Sequence, residues 1–301
     1  MPCFSPQQYR RKVGGGVTHN PGQAWQDRGR LLIPCNGCIG CRMDKAGDWK
    51  TRLVHEASLH QAKIFGTATF ADEFLPADYS VHVRTAQLFI KRVRKARGTC
   101  RFFMVGEYGD QFLRPHYHFL FFGQDFAHDR QPWTKSKSGE LLYRSPQLER
   151  LWGFGEVTIS PLTPETAGYC ARYALKKVNG SRADDHYTRV HPLTGEVCRV
   201  SPEFITMSTR PGIGYDWLER YKMDVFPSDF VTIEGRKCAV PKYYTRKLAQ
   251  EGDGLLTDAD KLKLARISDA QSRAEDNTPE RLAVREELQY LRVLQLKREL
   301  T

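Results

Sequence analysis

His116 and His118 stand two apart in the run Pro115-His116-Tyr117-His118-Phe119-Leu120-Phe121-Phe122. On a strand, alternate side chains share a face, so the two imidazoles project together and Tyr117 points to the opposite side. Two imidazoles on rigid backbone, with apolar neighbours excluding water, form a two-point clamp for a divalent ion. Glu107 ends the preceding apolar run, where hairpin pairing would bring it beside the histidines as a third ligand; Asp110 is the fallback. The bland alternatives are a chance His-x-His pair and a solvated carboxylate at a loop edge.

A second group lies in Tyr169-Cys170-Ala171-Arg172-Tyr173-Ala174-Leu175-Lys176-Lys177. On a helix the two tyrosines stack one turn apart, Lys176 shares their stripe and Lys177 is rotated away. A phenol with a pKa near ~10 is a poor nucleophile at neutral pH. It attacks a phosphodiester when a metal polarises the phosphoryl oxygens and a cation stabilises the developing charge. The expected product is a 5′-phosphotyrosine and a free 3′-hydroxyl, which conserves the bond energy for religation. A second tyrosine allows a second cleavage without resetting the first. The competing reading is an amphipathic helix that buries its tyrosines, its lysines favoured near the C-terminus by the helix dipole.

Cys35-x-x-Cys38-x-x-Cys41 is the third group. With Cys3, or with His19 in its place, these thiolates are expected to hold a tetrahedral structural Zn2+; free cysteines in a reducing cell are the alternative. Cys100, Cys170, Cys198 and Cys238 are isolated and read as core or neutral positions.

The formal net charge is +11 and the pI about 9.3. Acids and bases balance between 258 and 301, so the excess lies in residues 1–257. Such charge points to a polyanionic partner, because Lys and Arg release counterions condensed on a phosphate backbone. No apolar run is long enough to span a bilayer, and no secretory signal follows Met1. Cysteine spacing argues against a disulfide scaffold and for a reducing cytosol. Nucleic acid is therefore the expected partner, not a membrane. No phosphate-loop motif is present, so unwinding would depend on another protein.

The elements that must position these groups are legible in outline. Arg42 to Gln61 reads as a helix with Trp49, Leu53 and Ala57 on one face. Lys63 to Phe70 reads as a strand, Ser80 to Arg97 as a basic helix, Arg101 to Tyr108 and His116 to Phe122 as hairpin strands. The second hairpin strand is apolar on both faces, hence central in its sheet. After a helical connection come a strand over Glu156 to Ser160 and a helix announced by Thr163-Pro164-Glu165 that runs to about Val178. Thr278-Pro279-Glu280 opens a last helix with a stripe of Leu288, Leu291 and Leu294. The expected class is α+β, a central antiparallel sheet flanked by helices, with a Cys-rich N-terminal arm and a helical C-terminal tail. Its expected divisions are residues 1–61 (arm and first helix), 62–180 (core), 181–257 (accessory region without a legible fold) and 258–301 (charged tail).

At these residues the chain resembles the replication initiator proteins of small single-stranded DNA phages, the gokushovirus group of the microviruses, and more widely the HUH endonucleases. The matching pieces are Met1-Pro2-Cys3, Pro34-Cys35-x-x-Cys38-x-x-Cys41-Arg42, Trp49-x-x-Arg52, Gly106-Glu107-Tyr108-Gly109, Arg114-Pro115-His116-Tyr117-His118, Arg172-Tyr173 with Lys176-Lys177, and Met207-Ser208-x-Arg210-Pro211-Gly212-Ile213-Gly214. Each is weak alone; their order over roughly residues 1–250 is specific. The resemblance implies rolling-circle initiation on a single-stranded DNA origin in the host bacterial cytoplasm, with host DNA polymerase and helicase as partners. It implies that His116 and His118 bind Mg2+ or Mn2+, that Tyr169 and Tyr173 are nucleophiles, and that Lys176 assists at the phosphate. The histidine motif leaves the third ligand open, and Thr67-Ala68-Thr69-Phe70 looks like the family's first core strand, without a catalytic side chain of its own. Lys91, Arg92, Arg94, Arg114, Arg172 and Lys177 are the candidates for contact with DNA. Two other classes compete: a non-catalytic zinc-dependent DNA-binding regulator, and an HUH transposase or relaxase.

Overall fold

The computed structural model describes residues 3–12, 14, 16–20, 31–110, 112–136, 138–173, 183–191, 194–250, 258–272 and 274–295. The chain divides into two compact units, Met1–Lys45 with Asp260–Leu296, and Ala46–Ala259 with Lys297–Thr301. The segment expected to be an irregular arm contains three short strands, β1 (Gln7–Arg11), β2 (Val17–Thr18) and β3 (Leu31–Ile33), paired antiparallel in the order β2-β1-β3. Most of their residues are exposed or half-buried, so no apolar alternation announces them. Helix α1 (Ile39–Ser58) follows, with Leu53 and Ala57 buried as their spacing implies.

The second unit is built on β4 (Lys63–Thr69), α2 (Val83–Arg97), β5 (Arg101–Tyr108) and β6 (Pro115–Phe122). Then come β7 (Gln131–Lys135), β8 (Leu141–Arg144), α3 (Pro146–Trp152), β9 (Val157–Pro161) and α4 (Pro164–Tyr173). The stretch expected to be a helical connection is thus a β-hairpin followed by a short helix. Its outer strand β7 is exposed at every position and carries Pro132, as an edge strand tolerates, so the sequence shows no strand pattern there. Beyond α4 lie α5 (Ala183–Tyr187), β10 (Thr188–Val190), β11 (Val197–Arg199) and β12 (Phe204–Met207). The main sheet has seven strands in the order β12-β5-β6-β4-β9-β8-β7, every neighbouring pair antiparallel. The doubly apolar β6 sits inside it, between β5 and β4.

The two faces of the sheet carry different layers. Ile64, Ala68, Phe102, Met104, Tyr117, Phe119 and Phe121 pack against Ala86, Phe89, Ile90 and Val93 of α2 and Leu148 and Trp152 of α3. Phe65, Phe103, Val105, Leu120 and Phe122, one residue out of phase, pack against α1 and α4. The expected basic helix α2 therefore lies across the sheet from α4.

The region without a legible fold continues with α6 (Tyr215–Val225), the hairpin β13 (Phe230–Ile233) and β14 (Arg236–Ala239), and α7 (Lys242–Gln250). It is tied to α1 by polar contacts that no periodicity reveals. Arg52 lies between the rings of Trp49 and Tyr243, 4.2 and 4.0 Å from their centroids, and its Nε donates to the Ile213 carbonyl. Fully buried Glu56 pairs with Arg101 and accepts from the Gly214 amide at 2.7 Å. Arg101 also donates to the carbonyls of Pro211 and Gly212. The Trp49-x-x-Arg52 and Pro211-Gly212-Ile213-Gly214 motifs are two sides of one joint.

Helices α8 (Asp258–Ser272) and α9 (Pro279–Leu294) complete the chain's α-helices among the described residues. Thr278 caps α9, its side chain accepting from the Arg281 amide. Its buried residues are Gln289 and Leu282, the second of which joins Phe4 and Ile39 in a small core, whereas Leu288, Leu291 and Leu294 are exposed.

Candidate metal and tyrosine centre

Register places the ligands. Glu107 on β5 is directly opposite His116 on β6, and His118 lies between Val105 of β5 and Thr67 of β4. Directly paired residues share a face, so Glu107, His116, His118 and Thr67 all point toward the α1–α4 side. Glu107 Oε1 is 2.8 Å from His116 Nε2 and 2.9 Å from His118 Nε2, and the two Nε2 atoms are 3.2 Å apart. Octahedral ligands with bonds of ~2.1 Å are spaced by about 3.0 Å, √2 times the bond length. The three donors match one face of such an octahedron, and a carboxylate with two imidazoles suits a divalent ion such as Mn2+ or Mg2+ in chemistry as well as spacing. Asp110, the fallback ligand, is exposed and outside this group.

Both imidazoles are oriented from behind. His116 Nδ1 donates to the Arg114 carbonyl at 3.1 Å, which leaves Nε2 as the atom a metal could use. His118 Nδ1 is 2.9 Å from Thr67 Oγ1. The β4 strand, expected to carry no catalytic side chain of its own, supplies a hydroxyl against His118. Only the strand register could have revealed it, since Thr67 is fifty-one residues from its partner. Burial alone would raise the Glu107 carboxyl, but its contacts with His116 and His118 outweigh burial and hold it well below the usual carboxylate range.

Helix α4 begins as its sequence predicts. The Thr166 amide donates to Thr163 Oγ1, and the Thr163 amide donates to Thr166 Oγ1. The described helix ends at Tyr173, so its expected continuation to Val178, with Lys176 and Lys177, lies outside the described residues. Tyr169 and Tyr173 face the sheet over His118. The Tyr169 ring is edge-on to His118 with centroids 5.2 Å apart, Tyr173 is stacked on it at 5.0 Å, and the tyrosines are 4.8 Å from each other. Both are buried, 5% and 8% exposed, while the His116 side chain keeps 16%. Burial first, then the neighbouring Glu107 charge and Tyr169, push the Tyr173 phenol far above its ordinary pKa, so it is neutral in this arrangement. The Arg172 guanidinium lies 5.7 Å from the Tyr169 ring centroid.

The other basic candidates are elsewhere. Arg114 donates to the Phe70 carbonyl and pairs with Asp72 at 2.7 Å, close in sequence to His116. Lys91, Arg92 and Arg94 belong to α2, on the opposite face of the sheet. Arg92 donates to the carbonyls of Leu151 and Trp152 at the end of α3, and Arg94 to the Cys100 carbonyl. Arg94, Arg101 and Arg210 line a cavity of about 980 Å³ beside β12, and Arg114, Arg189 and His191 line a second of about 440 Å³. Neither cavity contains Glu107, His116, His118, Tyr169 or Tyr173. Cys3, Cys35, Cys38 and Cys41 gather their sulfurs in a second group able to hold a metal, without His19, which lies against Tyr9.

The sequence model of the replication-associated protein ORF2/G2P family matches residues 63–178, the segment that carries both the ligands and the tyrosines. The chain is similar to the replication-associated protein VP4 of Bdellovibrio phage phiMH2K, 29% identical over 255 residues that cover 81% of this chain and 76% of the relative. It is also similar to the replication-associated protein ORF2 of Spiroplasma virus 4, 30% identical over 73% of this chain and 68% of the relative. With the replication-associated protein ORF4 of Chlamydia phage 1 it shares 27% identity over 73% of this chain and 55% of the relative. No solved structure matches the chain. Similarity of this extent means that the chain belongs to the phage replication-associated protein family and is a replication initiator of the microvirus type.

Proposed function

We propose that this chain nicks and rejoins single-stranded DNA at a replication origin through a tyrosyl phosphodiester, in the manner of the HUH endonucleases. The observation that carries the proposal is the convergence of two tyrosine rings and three metal-ligand atoms around one imidazole, His118. A non-catalytic DNA-binding regulator has no use for that arrangement. Glu107, His116 and His118 would hold Mg2+ or Mn2+, which supplies Lewis-acid polarisation of the phosphoryl oxygens when bound.

The rest is done by the chain. The phenolic oxygen of one tyrosine attacks phosphorus and forms the tyrosyl ester. The bond from phosphorus to the 3′ oxygen breaks, and that oxygen leaves as a hydroxyl, carrying the proton the phenol gives up. The second tyrosine, one turn along the same helix, is placed to take a later strand while the first remains esterified. Thr67 and the Arg114 carbonyl keep the imidazoles oriented. Because both rings are packed against His118, the DNA strand must displace part of this packing to reach the hydroxyls, and His116, the least buried ligand, marks the side of approach. Arg172 and the Lys176 and Lys177 pair are the proposed cations for the phosphate. Elongation and unwinding fall to host polymerase and helicase in the bacterial cytoplasm.

The test is incubation with a single-stranded origin oligonucleotide and Mn2+, followed by denaturing electrophoresis. A covalent adduct is expected for the native chain and for at least one single Tyr→Phe variant. It is expected to vanish in the Tyr169→Phe, Tyr173→Phe double variant. Intact DNA with binding retained would show the chain to be a regulator instead.

A further inference from the structure

Four sulfurs meet in the first unit. The Sγ atoms of Cys3, Cys35, Cys38 and Cys41 all lie within 4.8 Å of one another, and those of Cys3 and Cys38 are 3.8 Å apart. A disulfide would need about 2.05 Å, and all four are free thiols. A tetrahedron of thiolates around zinc, with bonds of ~2.3 Å, has edges of about 3.8 Å, or 1.63 times the bond length.

The backbone around the sulfurs is arranged for negative charge. The Cys35 amide donates to Cys3 Sγ at 3.2 Å, and the Phe4 amide to Cys38 Sγ at 3.3 Å. Gly37 and Cys38 amides donate to Cys35 Sγ at 3.4 and 3.2 Å, and the Cys41 amide to Cys38 Sγ at 3.5 Å. A neutral thiol is a weak acceptor; amides aimed repeatedly at sulfur stabilise thiolates, the form that binds metal. Asn36, at φ 59°, turns the chain so that Cys35 and Cys38 face inward together, and the opening of α1 brings Cys41 onto the same side.

We propose that these four cysteines hold a structural zinc ion that staples the N-terminal segment of the first unit. Cys3 enters from before β1, Cys35 and Cys38 lie in the turn that precedes α1, and Cys41 lies in the first turn of α1. Adjacent Phe4 packs with Ile39 and with Leu282 of α9, a small core that among the described residues has these three buried members, with Cys38, Met43 and Val293 at its margin. A core this small does not hold a segment in place on its own, and a metal that closes the loop from Cys3 to Cys35 supplies the missing constraint. The all-sulfur donor set selects zinc over the hard ions suited to Glu107, His116 and His118.

The test uses the full chain, produced with zinc in the medium and desalted. Elemental mass spectrometry is expected to find one zinc per chain, released when a mercurial titrates the thiols. The Cys35→Ser, Cys38→Ser variant is expected to lose it. The His116→Ala, His118→Ala variant and the Cys198→Ser, Cys238→Ser variant are expected to keep it. Should the first variant fail to fold, the native chain still decides the matter: loaded with Co2+ it should show an intense thiolate-to-cobalt absorption in the near ultraviolet, and on zinc removal the amides of Phe4 and α9 should lose hydrogen-exchange protection while those of β5 and β6 do not. Zinc retained in the Cys35→Ser, Cys38→Ser variant, zinc lost with the histidines, iron in place of zinc, or a metal-free native chain with unchanged protection overturns the proposal. None of these outcomes depends on whether the tyrosines nick DNA.

Discussion

Glu107 and His116 face each other across the β5–β6 ladder, and their 2.8 Å contact follows from that register alone. The hairpin thereby makes a three-donor site from residues that a one-residue slip would send to opposite faces. Glu107→Gln keeps the shape and removes the charge. It is expected to weaken Mn2+ binding by at least about 100-fold, beyond the loss usual for groups outside the ligand shell. Unchanged Mn2+ affinity by calorimetry would remove Glu107 from the site.

Thr67 offers a finer test, because it touches His118 only at Nδ1, away from the proposed ion. Thr67→Val keeps the branched shape on β4 but loses the oxygen. Orienting partners of this kind are worth roughly 10- to 100-fold in metal affinity. The Mn2+ concentration for half-maximal adduct is expected to rise by that factor, with the full amount of adduct recovered at saturating metal. A yield that stays low at any concentration would mean that Thr67 acts on the DNA instead.

What could be read beforehand was whatever a local pattern encodes. The His116 and His118 pair declares its face by spacing, β6 declares its central place by being apolar on both sides, and Thr163-Pro164 and Thr278-Pro279 declare helix starts through their caps. Glu107 was within reach because a hairpin relates nearby residues. The contacts that escaped are distant in sequence or polar. Thr67 meets His118 through register, Arg101 meets Glu56 through tertiary packing, and the exposed edge strand β7 has no apolar face to betray it. The buried apolar residue of α9 is Leu282, with Gln289 the buried polar one, and not the leucine stripe, because periodicity gives a helix's apolar side but not which part of it finds a neighbour.

The buried pair of Glu56 and Arg101 carries the joint between α1 and the Pro211–Gly214 segment. Removing one partner leaves the other charge without compensation in a poorly solvated place, typically at a cost of about 3–5 kcal/mol. Arg101→Met and Glu56→Gln are each expected to lower stability by an amount in that range in urea titrations. The double variant is expected to lose less than the sum of the two. Additive losses would mean that the pair is not coupled.

Acid should undo the same joint in two stages. Burial pushes the His55 imidazole down to about 3 from 6.5. Burial alone would raise Glu56, but hydrogen bonds from His60, Arg101 and the Gly214 amide bring it down to about 2 from 4.5. Both folded values lie below the unfolded ones, so the unfolded chain takes up protons first. The His55 contribution is whole above about pH 6.5 and falls from there toward pH 3, by up to about 1.4 kcal/mol per pH unit. Glu56 adds its own loss below about 4.5. His55→Gln is expected to flatten the stability curve between pH 6.5 and 4.5 relative to the native chain. An identical slope in the two proteins would show that His55 is not buried in its neutral form.

Gly155 links this stability to the candidate metal site. It adopts φ 146°, and a Cβ there would lie 2.5 Å from the Ala71 nitrogen and 2.6 Å from the Thr69 carbonyl oxygen, both backbone atoms that no rotamer change can move. The close approach exists because the Thr69 and Ala71 amides donate to the carbonyls of Glu156 and Phe154 on either side of the glycine. Thr69 pairs with His116, and the Phe70 carbonyl anchors Arg114, whose own carbonyl orients the His116 ring. Gly155→Ala must therefore push this stretch of β4 away from β9, with an expected loss of about 1–3 kcal/mol typical of overpacking and a measurable weakening of Mn2+ binding. Gly195→Ala, also at positive φ but with nothing within 4 Å of the added carbon, is the control. It should show only the smaller backbone penalty and normal metal affinity. If both substitutions leave Mn2+ binding alike, the end of β4 does not position His116.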